Sequence, residues 1–182
     1  MRGIGWAVAL GAMASLVPGW ARPVDLHALH RSRLTPVHAP AGTSETQFAR
    51  KIGRGLQRFT NRTGTEACAD LCRSPQGAWG AIPVSIGAHA ACSTLRECPE
   101  GMTPVGRMIH SHPDAAGFEP NAVDFALRNK PLIEGMWWNA GDPTLFSDAD
   151  YAEPGYLVVQ GHLYFQAGRG TERRLGPVDA PR

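Results

Sequence analysis

Lysine is scarce in this chain, and charge of either sign is limited. Only 19% of the 182 residues are charged, the formal net charge is +2, and the two lysines are Lys51 and Lys130. No run of five or six like charges occurs, so the sequence contains neither a polybasic arm nor an acidic tail. A dedicated nucleic-acid-binding domain is usually more basic, and we therefore expect no nucleic-acid partner.

Internal repeats and coiled-coil heptads are also missing from the sequence. The length is typical of one domain, and a hydrophobic content of 43% is enough to build a core. The 21 glycines and 15 prolines indicate many turns and short elements. These features predict a single compact domain rather than a fibrous or disordered chain.

An uncharged run of almost entirely apolar or small residues lies near the start of the sequence. Arg2 precedes residues 4–17, which carry no charge and are shorter than the roughly 20 residues that cross a bilayer. Gly19 and Ala21 are the small residues that a signal peptidase reads. We expect a signal peptide over residues 1–21 and a periplasmic or secreted bacterial protein with no stable membrane insertion after processing. An uncleaved membrane anchor is the alternative.

The cysteine content agrees with export. An even number of cysteines in an exported chain indicates disulfides. Short spacings favour local pairs between neighbouring cysteines, although sequence alone leaves three connectivities open. A structural zinc site is the alternative, but paired Cys-x-x-Cys spacing is typical of such sites and is absent here. The four residues are Cys68, Cys72, Cys92 and Cys98, and the local pairs would be Cys68–Cys72 and Cys92–Cys98.

The mature chain predicts helices and strands in alternating groups. Residues 22–43 are rich in Pro, His and Arg and are expected to form an extended leader. Ser44 and Gln47 form a capping-box pattern at the start of a helix with one apolar face. The remaining elements are predicted as strands over 65–69, 78–86 and 105–110, a helix over 121–128 capped by Asn121, and a hairpin of 156–160 and 162–166 around Gly161.

This order of elements predicts an α/β domain with a mostly antiparallel, disulfide-stapled sheet. We place the domain at residues 44–176, with the first helix over 44–58 and a loose tail over 177–182.

Two histidines end the strand predicted at 105–110. In an extended segment, side chains two residues apart point to the same side, so His110 and His112 can reach one ion. A carboxylate from elsewhere can supply a third ligand; Asp150 is our candidate, with Asp114 and Asp124 as alternatives. Two histidines, one carboxylate and an open position are typical of catalytic zinc. A nearby glutamate can then act as general base.

The ordered series of Glu66, His110-Ser111-His112-Pro113 and Ser147-x-x-Asp150 resembles the pattern of the JAB/JAMM (MPN) metalloproteases. The similarity is closest to secreted bacterial JAB-like domains and covers roughly residues 44–175. It implies a cytidine-deaminase-like α/β sandwich in which zinc is held by the two histidines and Asp150. It also implies that Glu66 is the general base and that Ser147 donates a hydrogen bond to the developing oxyanion.

The chain departs from this family in one spacing and in its glutamate. Glu66 is our candidate because it opens a predicted strand upstream of the histidines, and the alternatives Glu97 and Glu100 lie in the cysteine loop. Ser147 lies 35 residues after His112, far more than the family's usual gap, so the intervening residues are expected to form a lid or a substrate wall. The resemblance implies zinc-dependent cleavage of amide or isopeptide bonds, and the expected compartment favours a peptide or peptidoglycan-type substrate. The alternatives are a catalytically inactive binding module on the same fold and a secreted toxin or effector domain that uses the same zinc site.

Overall fold

The structure is a computed structural model that describes residues 30–94, 96–130 and 132–179. The expected signal peptide and the first part of the expected leader lie outside these residues. In the described part of the chain, no helix is both long enough and apolar enough to cross a membrane.

The first helix, α1, spans Glu45–Thr63. The predicted capping box is confirmed, because Ser44 Oγ accepts from the backbone N–H of Gln47 and the Gln47 side chain accepts from the N–H of Ser44. The helix continues beyond residue 58, where we expected it to end. Thr60 accounts for the difference: it is buried, and its Oγ1 lies 2.6 Å from Ser111 Oγ. Because Thr60 is polar, the last turns of α1 do not continue the apolar periodicity from which the helix was predicted.

Eleven strands, a second helix and a short 3-10 helix are the other elements of the described residues. Helix α2 is Ala122–Leu127, capped by Asn121 as predicted, and the 3-10 helix is Asp148–Ala152. The strands are β1 (Ser32–Arg33), β2 (Val37–Ala39), β3 (Cys68–Arg73), β4 (Trp79–Ala81), β5 (Val84–Ser85), β6 (Thr103–Ser111), β7 (Gly117–Phe118), β8 (Trp138–Asn139), β9 (Gly155–Val159), β10 (His162–Gln166) and β11 (Arg173–Pro177).

Nine of these strands form the main sheet, in the order β1-β5-β3-β6-β9-β10-β11, with β2 and β4 paired beside β3. The described pairings in this sheet are antiparallel except that β6 and β9 run parallel. The predicted α/β class with a mostly antiparallel sheet is therefore confirmed. Strands β7 and β8 form a separate two-stranded ribbon.

Strand boundaries differ from the sequence-based expectation at the ends of the domain. β1 and β2 lie inside the expected leader, and β11 reaches the first residue of the expected tail. These strands are short or polar and leave no alternating pattern to detect. The strand predicted at 78–86 is divided at Pro83, which lacks a backbone N–H for the ladder. The hairpin of β9 and β10 is found as predicted.

The core lies between α1 and one face of the sheet. Phe48, Ile52 and Leu56 of the helix are almost fully buried against apolar residues of the central strands, including Ile109 on β6 and Val158 on β9. Burial of each large apolar side chain contributes roughly 1.5–3 kcal/mol. This packing fixes the position of β6, whose end carries the two candidate histidine ligands.

Two disulfides join β3 to the loop that follows β5, and the expected local pairing is wrong. The bonds are Cys68–Cys92 and Cys72–Cys98, with Cα–Cα distances of 5.9 and 5.7 Å. Cys68 and Cys72 lie four residues apart on one strand, a separation of roughly 13 Å, whereas a disulfide requires Cα atoms within about 7 Å. Both bonds fit a protein of an oxidising compartment.

Candidate metal site

Side-chain alternation at the end of β6 aims His110 and His112 at the same point. The Nε2 atoms of the two imidazoles lie 3.1 Å apart. Ser111, between them, points the other way, where its hydroxyl contacts Thr60 and the backbone of Ala67. The backbone N–H of His112 donates to Val158 O at 3.1 Å and keeps the segment extended past the end of β6.

Asp150 approaches the histidines from the 3-10 helix. Its Oδ1 lies 3.5 Å from His110 Nε2. Its Oδ2 accepts from the backbone N–H of Ser147 at 2.7 Å and from Ser147 Oγ at 2.8 Å, so one carboxylate oxygen is fixed while the other faces the histidines. One ligand atom from each of His110, His112 and Asp150 lies within 4.8 Å of the others, and the three residues can hold a metal ion.

The protonation of both histidines suits a metal ligand. His112 Nδ1–H donates to Pro143 O at 2.8 Å, which leaves the lone pair on Nε2, the atom nearest the cluster. Burial, followed by the neighbouring charge of His112, lowers the pKa of His110 to about 4. Burial also lowers the pKa of His112. Neutral imidazoles are the form that binds metal at neutral pH.

Glu66 lies beside this cluster, just before β3. Its Oε1 is 3.6 Å from His112 Nε2, and its backbone is held by hydrogen bonds to Ala88 and Ser85. The pKa of Glu66 is raised well above its usual value, first by burial and then by the negative charges of Asp150 and Asp124. A carboxyl group in this setting can hold a proton that an ordinary surface glutamate would lose.

Ser147 is exposed and donates its hydroxyl proton to Asp150. In the structure it therefore orients the carboxylate of the third candidate ligand. The oxyanion role implied by the resemblance stays a prediction, because it requires this hydroxyl to turn away from Asp150.

The two alternative carboxylates contact other parts of the protein. Asp114 Oδ1 accepts from Gln57 Nε2 at 3.2 Å and from the N–H of Gln160 at 2.8 Å. Asp124 is buried and accepts from both the N–H and Nδ1 of His89, at 2.9 and 2.7 Å. The structure thus brings Asp150, and neither alternative, into the metal cluster.

Gln166 supports the site and was not identified from the sequence. It is fully buried at the end of β10, and its Nε2 donates to Asp150 O at 2.6 Å and to Glu153 O at 2.7 Å. These bonds tie the 3-10 helix to the sheet. A single glutamine at a strand end carries no signal of such a role in the sequence.

A cavity of about 540 Å³ opens beside the cluster. One wall is the loop of residues 89–92, and the facing wall is formed by residues 140–150. Residues between His112 and Ser147 thus contribute a wall of the cavity. His89 stacks on Phe118 and forms a hydrogen bond with Asp124 on α2. The hydrogen bond joins the loop of residues 89–92 to α2. His89 is not among the three residues whose ligand atoms converge at the candidate metal site.

No protein-family model matches the sequence, and no curated protein or solved structure matches it either. Function is therefore inferred from the geometry and chemistry of the cluster.

Proposed function

We propose that the protein is an exported zinc metallopeptidase of the JAMM type that hydrolyses amide or isopeptide bonds. The observation that carries this proposal is the convergence of His110, His112 and Asp150, with ligand atoms within 4.8 Å, beside the buried carboxyl group of Glu66. The proposal includes a cytidine-deaminase-like sandwich as the fold family.

The donor set favours zinc over harder cations. Two neutral imidazoles and one carboxylate suit zinc, whereas calcium and magnesium prefer sites made of oxygen ligands. If bound by these residues, zinc would supply Lewis acidity for the activation of water and the polarisation of a carbonyl group. His112 is pre-oriented by Pro143 and Asp150 by Ser147, so little ordering is needed when the ion binds.

Glu66 is the proposed proton carrier. Its carboxylate accepts the proton of the attacking water and then passes it to the amine that leaves. Burial and neighbouring acidic groups raise the pKa of Glu66, which helps the carboxyl group to retain the proton between these two steps. Ser147 is the proposed donor to the oxyanion.

We base the proposed compartment and substrate class on the signal-peptide pattern over residues 1–21 and on the cysteines. A signal-peptide pattern and two disulfides support export to a bacterial periplasm or exterior. Peptides or the isopeptide-like cross-links of peptidoglycan are the amide bonds we propose as substrates.

The first experiment measures metal content of the mature, oxidised protein by elemental analysis. We expect about one zinc ion per chain, in line with a single site of this donor set, and a loss of that zinc in His110→Ala and Asp150→Asn. His162→Ala is the matched control, because His162 lies on β10 and bonds Gln160 away from the cluster. A folded wild-type protein that takes up no metal would overturn the proposal.

Glu66→Gln separates metal binding from catalysis. The variant should keep its zinc and lose about 10²–10⁴-fold of its activity on peptide or peptidoglycan substrates, the range for removal of a general base. Zinc bound by the wild type with no hydrolysis of any tested peptide or peptidoglycan would instead favour a binding module.

A further inference from the structure

A second concave surface lies between α1 and the residues that join β1 to β2. It has a volume of about 720 Å³ and shares no lining residue with the cavity beside the metal cluster. We call it the basic groove. Its charged lining residues are Arg33, Lys51, Arg54, Arg58 and Arg62, and its apolar lining includes Leu34, Val37 and Phe59.

The charge of the basic groove is one-sided. The chain carries 18 Lys and Arg against 16 Asp and Glu, yet five cationic side chains and no carboxylate line the groove in the described part of the chain. Four of the five follow one stripe of α1 at positions 51, 54, 58 and 62, over roughly 16 Å of helix. Like charges three and four residues apart repel one another on a helix.

Internal partners neutralise only part of this charge. Arg33 forms an ion pair with Glu97, and Arg54 Nε lies 3.7 Å from Asp179 Oδ1. Lys51 Nζ donates to His38 O at 2.5 Å, and none of the described carboxylates forms an ion pair with it. Arg58 and Arg62 are exposed, and no carboxylate contacts them among the described residues.

The helix dipole explains the position of one of these cationic residues. It favours a cation in the last turn of a helix, where Arg62 lies. Its effect fades beyond that turn and therefore does not account for Lys51, Arg54 and Arg58. An anion lying along the stripe would relieve the repulsion between them.

The described lining of the basic groove favours a linear ligand that carries no aromatic rings. Near the middle of the stripe, a Cβ added at Gly55 would meet no atom within 4 Å, so the surface is open there. The aromatic rings in the described lining are the half-buried Phe59 and the exposed imidazole of His38, and the guanidinium of Arg62 lies 6.0 Å from the Phe59 centroid. Single-stranded nucleic acids stack successive bases on a row of exposed aromatic side chains, and one half-buried phenyl ring with one imidazole does not form such a row.

We propose that the basic groove binds a linear polymer of phosphodiester-linked units that carries no nucleobases. Guanidinium groups donate paired hydrogen bonds that match phosphate oxygens, and three of the four cations on the stripe are arginines. A repeating phosphate backbone meets successive side chains along α1 without needing a deep pocket. This proposal is independent of the zinc chemistry.

The test is binding of fluorescently labelled poly(glycerol phosphate) to the full mature chain at several salt concentrations. Arg58→Gln combined with Arg62→Gln should weaken binding at least tenfold and lower the slope of log K against log salt by about two. Arg173→Gln combined with Arg174→Gln removes the same charge from exposed positions on β11 and should leave binding within twofold. Circular dichroism and the melting temperature check that all variants fold.

Comparison polymers decide the ligand class. Equal losses in the two double variants would overturn the proposal, because the attraction would then be general to the surface. Equal or tighter binding of poly-glutamate would assign the basic groove to acidic polypeptides, and tighter binding of single-stranded DNA would assign it to nucleic acid; either result would overturn the phosphodiester assignment.

Discussion

Ser111 lies between the two histidines of the cluster, and its side chain points to the opposite face of the strand. Its hydroxyl lies 2.6 Å from Thr60 Oγ1 and accepts from the N–H of Ala67 at 3.1 Å, in a fully buried setting. Because neighbouring side chains alternate along a strand, the bonds that hold Ser111 against α1 also hold His110 and His112 towards the cavity.

Replacement of Ser111 by alanine should therefore lower stability more than it lowers metal content. Ser111→Ala leaves the buried groups of Thr60 and Ala67 without their partner, and we expect a loss of about 1–3 kcal/mol in the free energy of unfolding. Urea denaturation measures this loss, with Ser32→Ala at an exposed edge position as the control. An unchanged midpoint for Ser111→Ala would contradict the assigned role.

Asp70 provides a test of pH dependence away from the metal cluster. Burial is the main cause of its raised pKa, and hydrogen bonds from Thr94 and Arg96 oppose the shift; its Oδ2 is buried without a partner among the described residues. A carboxyl group whose folded pKa exceeds its unfolded value of about 3.9 is destabilising when charged. This penalty is present above the folded pKa and disappears as the pH falls below the unfolded pKa.

Asp70→Asn removes the titration. The melting temperature of the variant minus that of the wild type should become more positive as the pH rises from about 3 to 7. Thermal unfolding at a series of pH values measures the difference, and Asp148→Asn reports the effect of removing one surface charge. A difference that is constant across this range, or that falls as the pH rises, would show that burial of Asp70 does not make stability depend on pH in this way.

At the scale of elements, the two disulfides form a matched pair. Their cysteines are separated by 24 and 26 residues, so the loss of either bond should destabilise the protein by about 3 kcal/mol. Their positions differ, because Cys68 pairs with His110 across the sheet and Cys92 lines the cavity.

We expect the two bonds to have separable effects on the site. Cys68→Ala with Cys92→Ala should weaken metal binding and increase hydrogen exchange in residues 86–94, whereas Cys72→Ala with Cys98→Ala should leave metal affinity close to that of the wild type. A chelator competition measures affinity in both variants. Equal weakening in the two would refute a specific support of the cavity wall by the Cys68–Cys92 bond.

The elements also show what the sequence could and could not predict. Ser44, Asn121 and Gly161 carry local signals for two helix starts and a hairpin, and all three features are found. The disulfide partners of Cys68 and Cys72 depend on where the following loop folds back, which no spacing reveals. The end of α1 depends on a buried contact of Thr60 with a strand far along the chain.

The candidate site was predictable to a similar extent. The strand-end pair of histidines and the Ser-x-x-Asp step were visible as local patterns, and the structure places them together. The support of Asp150 by Gln166 was not visible, since it joins elements whose packing a sequence pattern does not encode. Local patterns therefore predicted the residues of the candidate site, whereas the tertiary contacts that support them could not be predicted.

For the whole molecule, metal binding should act as a clamp between two separate parts of the chain. His110 lies on β6, His112 directly follows that strand, and Asp150 belongs to the 3-10 helix. With free zinc at about 100 times the dissociation constant, binding stabilises the native state by about 2.7 kcal/mol, which corresponds to a rise in melting temperature of roughly 5–10 °C for a domain of this size.

Differential scanning calorimetry with and without zinc measures this rise. The rise should vanish in His110→Ala and persist in His162→Ala. A wild-type melting temperature that does not respond to zinc would show that the ion does not link the two parts of the chain.

The parallel pairing of β6 with β9 sets an order of events during assembly. Parallel neighbours need a long crossover connection, and here that connection carries the ribbon, α2 and, near its end, Asp150. Contacts between distant parts of a chain form late in folding. A partly folded chain in which β6 and β9 have not yet paired therefore presents both histidines without this carboxylate. The three side chains come together only when these two distant parts of the chain lie side by side in the sheet.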